Sequence, residues 1–126
     1  MSPEEKTVLD FLAAWPRGNI DELMGFFAED AVYHNIPVPP AVGAAAIRAA
    51  FVAFAGLMDS IEIENLNVAA RGSVVFNERI DRFRWNGNLL ELPVAGVFEV
   101  RGEKIVAHRD YFDYGTWLRA TGISLG

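Results

Sequence analysis

The sequence predicts an α+β fold: helices first, then a run of antiparallel strands forming a strongly curved sheet wrapped over the N-terminal helices. Three observations predict it. Apolar residues recur at helical spacing up to about Met58, and from Ser60 onward the period changes to two. Asn86-Gly87 then falls between Trp85 and Asn88-Leu89-Leu90, a strong hairpin signal. A sheet curved over helices in this order forms a cone with an internal pocket. Polar residues on its concave face have function rather than stability as their reason.

Ser2-Pro3-Glu4-Glu5 opens the first helix, with Ser as N-cap, Pro at the first helical position and Glu three residues after the cap. Val8, Phe11, Leu12 and Trp15 share one face of it, and Pro16-Arg17-Gly18 ends it. Asn19 with Glu22 caps a second short helix carrying Ile20, Leu23, Met24 and Phe27. Ala31 to Asn35 reads as a short strand, broken by Pro37, Pro39 and Pro40. From Gly43 to about Met58 an Ala-rich run, apolar nearly all round, predicts a helix packed into the concave side of the sheet. Ile61 and Ile63 alternate with Glu62 and Glu64, and the phase slips near Asn65-Leu66, which predicts a bulge. Leu90, Leu92, Val94, Gly96 and Phe98 line one face of the strand after the hairpin, with an irregularity expected at Pro93. Arg101-Gly102-Glu103-Lys104 turns the chain into a last strand from Ile105 to Phe112. The remainder is a short terminal segment, partly helical around Trp117-Leu118. No repeat, linker or low-complexity stretch interrupts residues 1–126, which read as a single domain.

The bulk numbers narrow the chemistry. With 126 residues, 52% of them hydrophobic, the chain can bury a real core. A net charge of −6 argues against nucleic acid and anionic membranes as partners, since both call for basic patches. No signal-peptide pattern and no apolar run of membrane-spanning length is present, so the chain reads as cytoplasmic. With no cysteine, disulfides, thiolate metal sites and a thiol nucleophile are excluded. The Gly-x-Ser-x-Gly elbow is absent, and Lys6 and Lys104 lie in polar settings, which disfavours acyl-serine and Schiff-base chemistry. His34 and His108 are too few for a metal site without a carboxylate at defined spacing. Carboxylates, Arg, Tyr and water remain.

The run from Val74 to Phe83 reads as a strand, so Asn77, Arg79 and Asp81 share one face and Phe76, Glu78 and Ile80 the other. Apolar sequence on both flanks predicts that both faces are covered. An Arg and an Asp pointing into an interior need partners. Three pieces stand out together: Tyr33-His34-Asn35-Ile36-Pro37 with Pro39-Pro40, Asn77-Glu78-Arg79-Ile80-Asp81, and His108-Arg109-Asp110-Tyr111-Phe112-Asp113.

In order, spacing and local sequence, with Gly96-Val97-Phe98 before the last strand, these pieces resemble the limonene-1,2-epoxide hydrolase family. That family is a branch of the NTF2-like, or SnoaL-like, cone fold, which implies a curved β-sheet that is mixed but mostly antiparallel. The resemblance runs from the first helix to about Asp113. It implies that Arg79 bridges Asp81 and Asp110, with Asp81 as general acid and Asp110 as general base. It implies also that Tyr33 and Asn35 help Asp110 hold a water, that no cofactor is used, and that the chain forms a homodimer. The outer-face apolar positions expected for that dimer are Val97 and Ile105.

Elementary chemistry runs the same way. Opening an epoxide requires a proton for the departing oxygen and a nucleophile at carbon. Two buried carboxyls around one guanidinium share a single proton near neutral pH, as a coupled pair. The planar guanidinium bonds both at once, which Lys could not. The implied activity is addition of water to an apolar epoxide, cyclic or terpene-like, giving a vicinal diol. Plainer readings stand beside it. An isolated Arg-x-Asp is usually a structural ion pair, Tyr33 could be a core tyrosine, and His108 a satisfied neighbour on the face of Asp110. Phe83 and Phe112, each two residues beyond an Asp, wall the pocket together with Leu92 and Val94. The functional alternatives are an isomerase or cyclase resembling ketosteroid isomerase and polyketide cyclase relatives, or a non-catalytic small-molecule-binding domain of NTF2-like type.

Overall fold

A computed structural model describes residues 1–126. Helix α1 (Pro3–Ala14) starts at a complete capping box, in which Ser2 Oγ accepts from the Glu5 amide at 3.1 Å and the Glu5 carboxylate accepts from the Ser2 amide. A 3₁₀ turn (Trp15–Arg17) and the short helix α2 (Ile20–Met24) follow. Strands β1 (Phe27–Asn35) and β2 (Ala41–Val42) lead to helix α3 (Ala44–Ala55). Then come β3 (Ser60–Arg71), β4 (Val74–Trp85), β5 (Asn88–Arg101), β6 (Lys104–Tyr111) and the terminal helix α4 (Tyr114–Thr121). The strands form one sheet in the order β2-β1-β6-β5-β4-β3, antiparallel except where β1 runs parallel to β6.

The core lies between the helices and the inner face of the sheet. Helix α1 buries Val8, Phe11 and Leu12 there. Phe11 meets Phe27 edge-on at 5.1 Å and packs beside Phe51 of α3, while Trp15 meets Phe51 at 4.9 Å. Rings in such tilted contacts contribute about 0.5–1.5 kcal/mol per pair beyond the area they bury. The layer therefore holds the helices firmly over β4 and β6, the strands that carry the polar groups.

Two bulges set the phase of the sheet. Leu66 is the extra residue in β3, between the pairs Asn65–Arg79 and Asn67–Glu78, at the slip read from the sequence. Val106 is the extra residue in β6, between Val100–Ile105 and Glu99–Ala107. Because side chains alternate along a strand, one extra residue lets Ile105, His108 and Asp110 all face inward. The β4–β5 hairpin turns at Asn86 and Gly87, with φ of 47° and 78°. Both positive values belong to a type I′ turn, which matches the twist of the flanking strands.

Several expectations are corrected. Phe27 opens β1 rather than closing α2, because Gly25 caps that helix after Met24. Strand β1 therefore begins four residues before Ala31. Only Ile47 and Phe51 of α3 are fully buried, and its alanine run largely faces solvent, so Ala here supplies helix propensity rather than core. Pro93 causes no irregularity: the β4–β5 register is unbroken through Ile80–Pro93. Pairing with β6 ends at Ala95, so Pro93 has a free edge on that side, where proline is tolerated. Ile105 is wholly buried and is not an outer-face residue, while Val97 is half-buried; large apolar residues exposed on that face include Phe76, Leu89 and Tyr111. Nor are both faces of β4 covered, since Phe76 is 43% exposed and Glu78 lies open beside it.

Candidate active site

The alternation of β4 places Asn77, Arg79 and Asp81 on the concave face, all buried. Strand β6 brings Asp110 to them, and β1 brings Tyr33 and Asn35 through its parallel register, with Tyr33 opposite His108 and Asn35 opposite Asp110. Arg79, 3% exposed, uses all five of its N–H groups. Nε donates to Asp81 Oδ1 at 2.8 Å, and Nη2 to Asp81 Oδ2 at 3.2 Å. Nη1 donates to Asp110 Oδ1 at 3.0 Å and Nη2 to Asp110 Oδ2 at 2.8 Å. The remaining Nη1 proton goes to Asn77 Oδ1 at 3.3 Å. The guanidinium thus holds two carboxyls in fixed orientation, one through each edge of its plane.

Asn77 and Gly96 set the height of that guanidinium. Asn77 Oδ1 also accepts the Gly96 amide at 3.1 Å, while Asn77 Nδ2 donates to Asn65 Oδ1 at 2.9 Å. A Cβ at position 96 would lie 2.4 Å from Asn77 Oδ1 and 2.6 Å from Arg79 Nη1. Glycine is required there for close approach, not for its backbone torsions.

The two carboxyls are driven apart electrostatically. Burial raises the pKa of Asp81 above the usual carboxylate range, and the charge and hydrogen bonds of Arg79 only partly oppose it. Burial pushes Asp110 upward too, but Arg79 and His108 together outweigh it and hold that carboxyl well below the usual range. Arg79 is driven upward: burial opposes its charge, yet the two carboxyls beside it more than compensate. The two shifts thus run in opposite directions around one guanidinium, upward for Asp81 and downward for Asp110. Burial, with the Asp110 charge second, raises the Tyr33 hydroxyl out of the ionisable range, and it donates to Asn35 Oδ1 at 3.2 Å rather than to either acid.

The site opens into a cavity of about 210 Å³ lined mainly by apolar side chains. Phe83, Leu92, Val94 and Phe112 all line it, beside Tyr33, Asn35, Arg79, Asp81 and Asp110. An apolar cavity of about 150 Å³ admits benzene, so this one suits a substituted single ring.

The model of the limonene-1,2-epoxide hydrolase catalytic domain matches residues 2–122. The chain belongs to the limonene-1,2-epoxide hydrolase family. The resemblance read from the three motifs is borne out, and so is the NTF2-like cone. An LEH-like epoxide hydrolase from M. tuberculosis is 26% identical, with a TM-score of 0.82, over 94% of this chain and 91% of that one. A protein of ketosteroid isomerase-like fold from Catenulispora acidiphila, in complex with trimethylamine, is 21% identical with a TM-score of 0.82, over 94% of each chain. The epoxide hydrolase/cyclase-like enzyme SalBIII, of pyran ring formation in the polyether salinomycin, is 19% identical with a TM-score of 0.80 over 90% of this chain and 92% of that one. The last two likenesses show the fold alone.

In this member of the limonene-1,2-epoxide hydrolase family, further residues complete the site that sequence reasoning did not single out. Phe51 and Phe54 of α3, together with Trp117 and Leu125 from the C-terminal segment, also line the cavity. Trp117 is buried, meets Phe83 edge-on at 5.6 Å, and donates from Nε1 to the Ile123 carbonyl at 2.6 Å. The closing of the pocket at its C-terminal side thus rests on α4 and the turn after it. A lone Trp in a segment without periodicity carries no sign of that role, whereas the i, i+3 spacing of Phe51 and Phe54 on α3 does.

Proposed function

We propose that this chain hydrolyses an apolar epoxide to a vicinal diol in one step, by paired general acid and base catalysis. The observation that carries the reading is Arg79 with its five donors spread over two buried carboxyls whose proton affinities are driven in opposite directions. An ion pair serving stability alone gains nothing from a second acid kept protonated beside it. Asp81 has its longer contact to Arg79, 3.2 Å, at Oδ2, and that oxygen is assigned the proton in this mechanism.

A water held against Tyr33, Asn35 and Asp110 attacks the ring carbon. Its O–H bond breaks toward Asp110 as the new C–O bond forms. The ring C–O bond opens, and the departing oxygen takes the proton of Asp81. Asp110 ends protonated and Asp81 ionised, and return of one proton from the first to the second restores the site. Each positioned transfer contributes on the order of 10²–10⁴-fold. The apolar lining and the 210 Å³ volume favour a compact cyclic or terpene-like substrate. A proton shift at carbon, as in an isomerase, can use one carboxyl as base and a protonated one as donor, but it has no need of a guanidinium bonded to both.

Diol formation across a panel of small cyclic and acyclic epoxides, followed against pH and corrected for uncatalysed opening, tests this. Activity requires Asp110 ionised and Asp81 protonated. The downward shift of Asp110 places the acid limb of kcat/KM below the ordinary carboxylate pKa of about 3.9, and the upward shift of Asp81 places the alkaline limb above it. A bell between those limbs is expected. Absence of diol from every epoxide with folded protein, or a rate rising with pH through the whole range, contradicts the proposal.

A further inference from the structure

His108 is the one buried titratable side chain that the mechanism above leaves unused. It precedes Asp110 by two residues on β6 and is 3% exposed. Its ring is clamped by Phe98, stacked at 4.2 Å and 27°, by Phe11 edge-on at 5.7 Å, and by Tyr33 at 5.0 Å. Nε2 lies 2.8 Å from Asp110 Oδ1. Nδ1 is buried and has no hydrogen-bond partner.

These contacts determine the tautomer. An ionised carboxylate only accepts, so Nε2 must carry a proton. A proton on Nδ1 would be an unpaired buried N–H among aromatic rings, a costly arrangement. The charged and titratable groups around the ring are Asp110 on its own strand, Arg79 and Asp81 on β4, and Tyr33 on β1. The groups facing it from α1 and β5, Phe11 and Phe98, do not titrate, and none of the others accepts from Nδ1. His108 therefore presents a single N–H, aimed at one oxygen.

The consequence lies in the lone pairs of Asp110. Oδ1 accepts twice, from Arg79 Nη1 at 3.0 Å and from His108 Nε2 at 2.8 Å, which fills it. Oδ2 accepts once, from Arg79 Nη2 at 2.8 Å, which leaves one acceptor position free. We propose that His108 is a positioning residue for the hydrolytic reaction: by filling Oδ1, it makes Asp110 Oδ2 the sole oxygen that receives the proton of the attacking water, and it prevents the carboxylate from turning. Rigidity of this kind matters because a misplacement of about 1 Å costs on the order of 10²-fold. The inference rests on the epoxide hydrolase reading for its kinetic consequence, but not for the hydrogen bond itself.

The test compares His108→Gln, whose amide N–H reaches about the place of Nε2, with His108→Phe, which keeps the stack on Phe98 and has no donor. Losing one hydrogen bond to a charged acceptor raises the proton affinity of Asp110 roughly tenfold. His108→Phe should therefore move the acid limb of kcat/KM up by about one pH unit and lower kcat at least tenfold, with KM nearly unchanged. His108→Gln should keep the limb in place and kcat within about threefold, the lone donor being retained. A purely structural histidine would lower the melting temperature of both variants and leave the limb where it was, which overturns the proposal. The carboxyl ¹³C resonance of Asp110, titrated in the same proteins, reads the same displacement without any substrate. If no epoxide is turned over, that titration still decides: a midpoint raised in His108→Phe and not in His108→Gln supports the assignment, and equal midpoints refute it. Should neither variant fold, ¹⁵N spectra of the unaltered protein must show the His108 proton on Nε2 with Nδ1 bare. A proton on Nδ1 at neutral pH overturns the inference.

Discussion

Asp81→Asn and Asp110→Asn each lower kcat/KM for epoxide opening by on the order of 10²–10⁴-fold, while circular dichroism shows the fold retained. Asparagine matches aspartate in shape, so the cone keeps its packing, but an amide neither delivers the proton that the departing oxygen needs nor takes one from water. The two variants should differ in stability, and in a direction that the electrostatics specify. In the proposed mechanism Asp81 is the protonated member, so Asp81→Asn exchanges one neutral group for another and leaves Arg79 its ionised partner. Asp110→Asn removes that partner from a guanidinium 3% exposed. Breaking a buried pair from one side costs about 3–5 kcal/mol. Asp110→Asn is therefore the less stable protein by thermal melting. Near-normal turnover in either variant contradicts the acid/base assignment, and equal stability contradicts the asymmetry of charge.

Arg79→Lys abolishes most activity as well, since three ammonium protons on a point charge cannot span two carboxyls that five guanidinium protons now hold. Gly96→Ala reaches the same end without touching a polar group. Its new Cβ would sit 2.6 Å from Arg79 Nη1, 2.4 Å from Asn77 Oδ1 and 2.9 Å from a Phe98 ring carbon, so the network has to move. A shift of about 1 Å is worth on the order of 10²-fold in rate. The loss should fall on kcat more than on KM, because the apolar cavity wall is untouched. Steady-state kinetics on a good epoxide separates the two. Full activity in Gly96→Ala would mean that the pose of the guanidinium is not critical.

The concave-face polar set was legible because strand alternation is strict: once Val74 to Phe83 reads as a strand, Asn77, Arg79 and Asp81 share a side. Tyr33, Asn35 and Asp110 came from the family resemblance, and their meeting with Arg79 depends on a parallel β1–β6 pairing that no local pattern announces. The bulge at Leu66 showed as a phase slip near Asn65-Leu66. The bulge at Val106 did not, since Ile105-Val106-Ala107 is apolar in either phase, and Ile105 was accordingly misplaced on the outer face. Phe27 fitted the helical period of α2, but Gly25 ends that helix first. Gly96 entered as an inward-facing strand position and as part of the Gly96-Val97-Phe98 resemblance; its necessity comes from Asn77 and Arg79 crowding its α-carbon, a tertiary fact. Trp117 and Leu125 reach the cavity from a segment with too little periodicity to orient in advance.

The central claim is that water, not a carboxylate, attacks the epoxide carbon. Both Asp110 oxygens are engaged by Arg79, and one also by His108, which dulls a carboxylate as a nucleophile but leaves it competent as a base. A single turnover with enzyme in excess, run in ¹⁸O-labelled water, decides between them. Direct attack places the heavy oxygen in the diol during that first turnover and none in the protein. An ester intermediate would deliver unlabelled carboxylate oxygen to the diol, and mass spectrometry after digestion would find ¹⁸O on the peptide containing Asp110 or Asp81. Label on either aspartate contradicts the account.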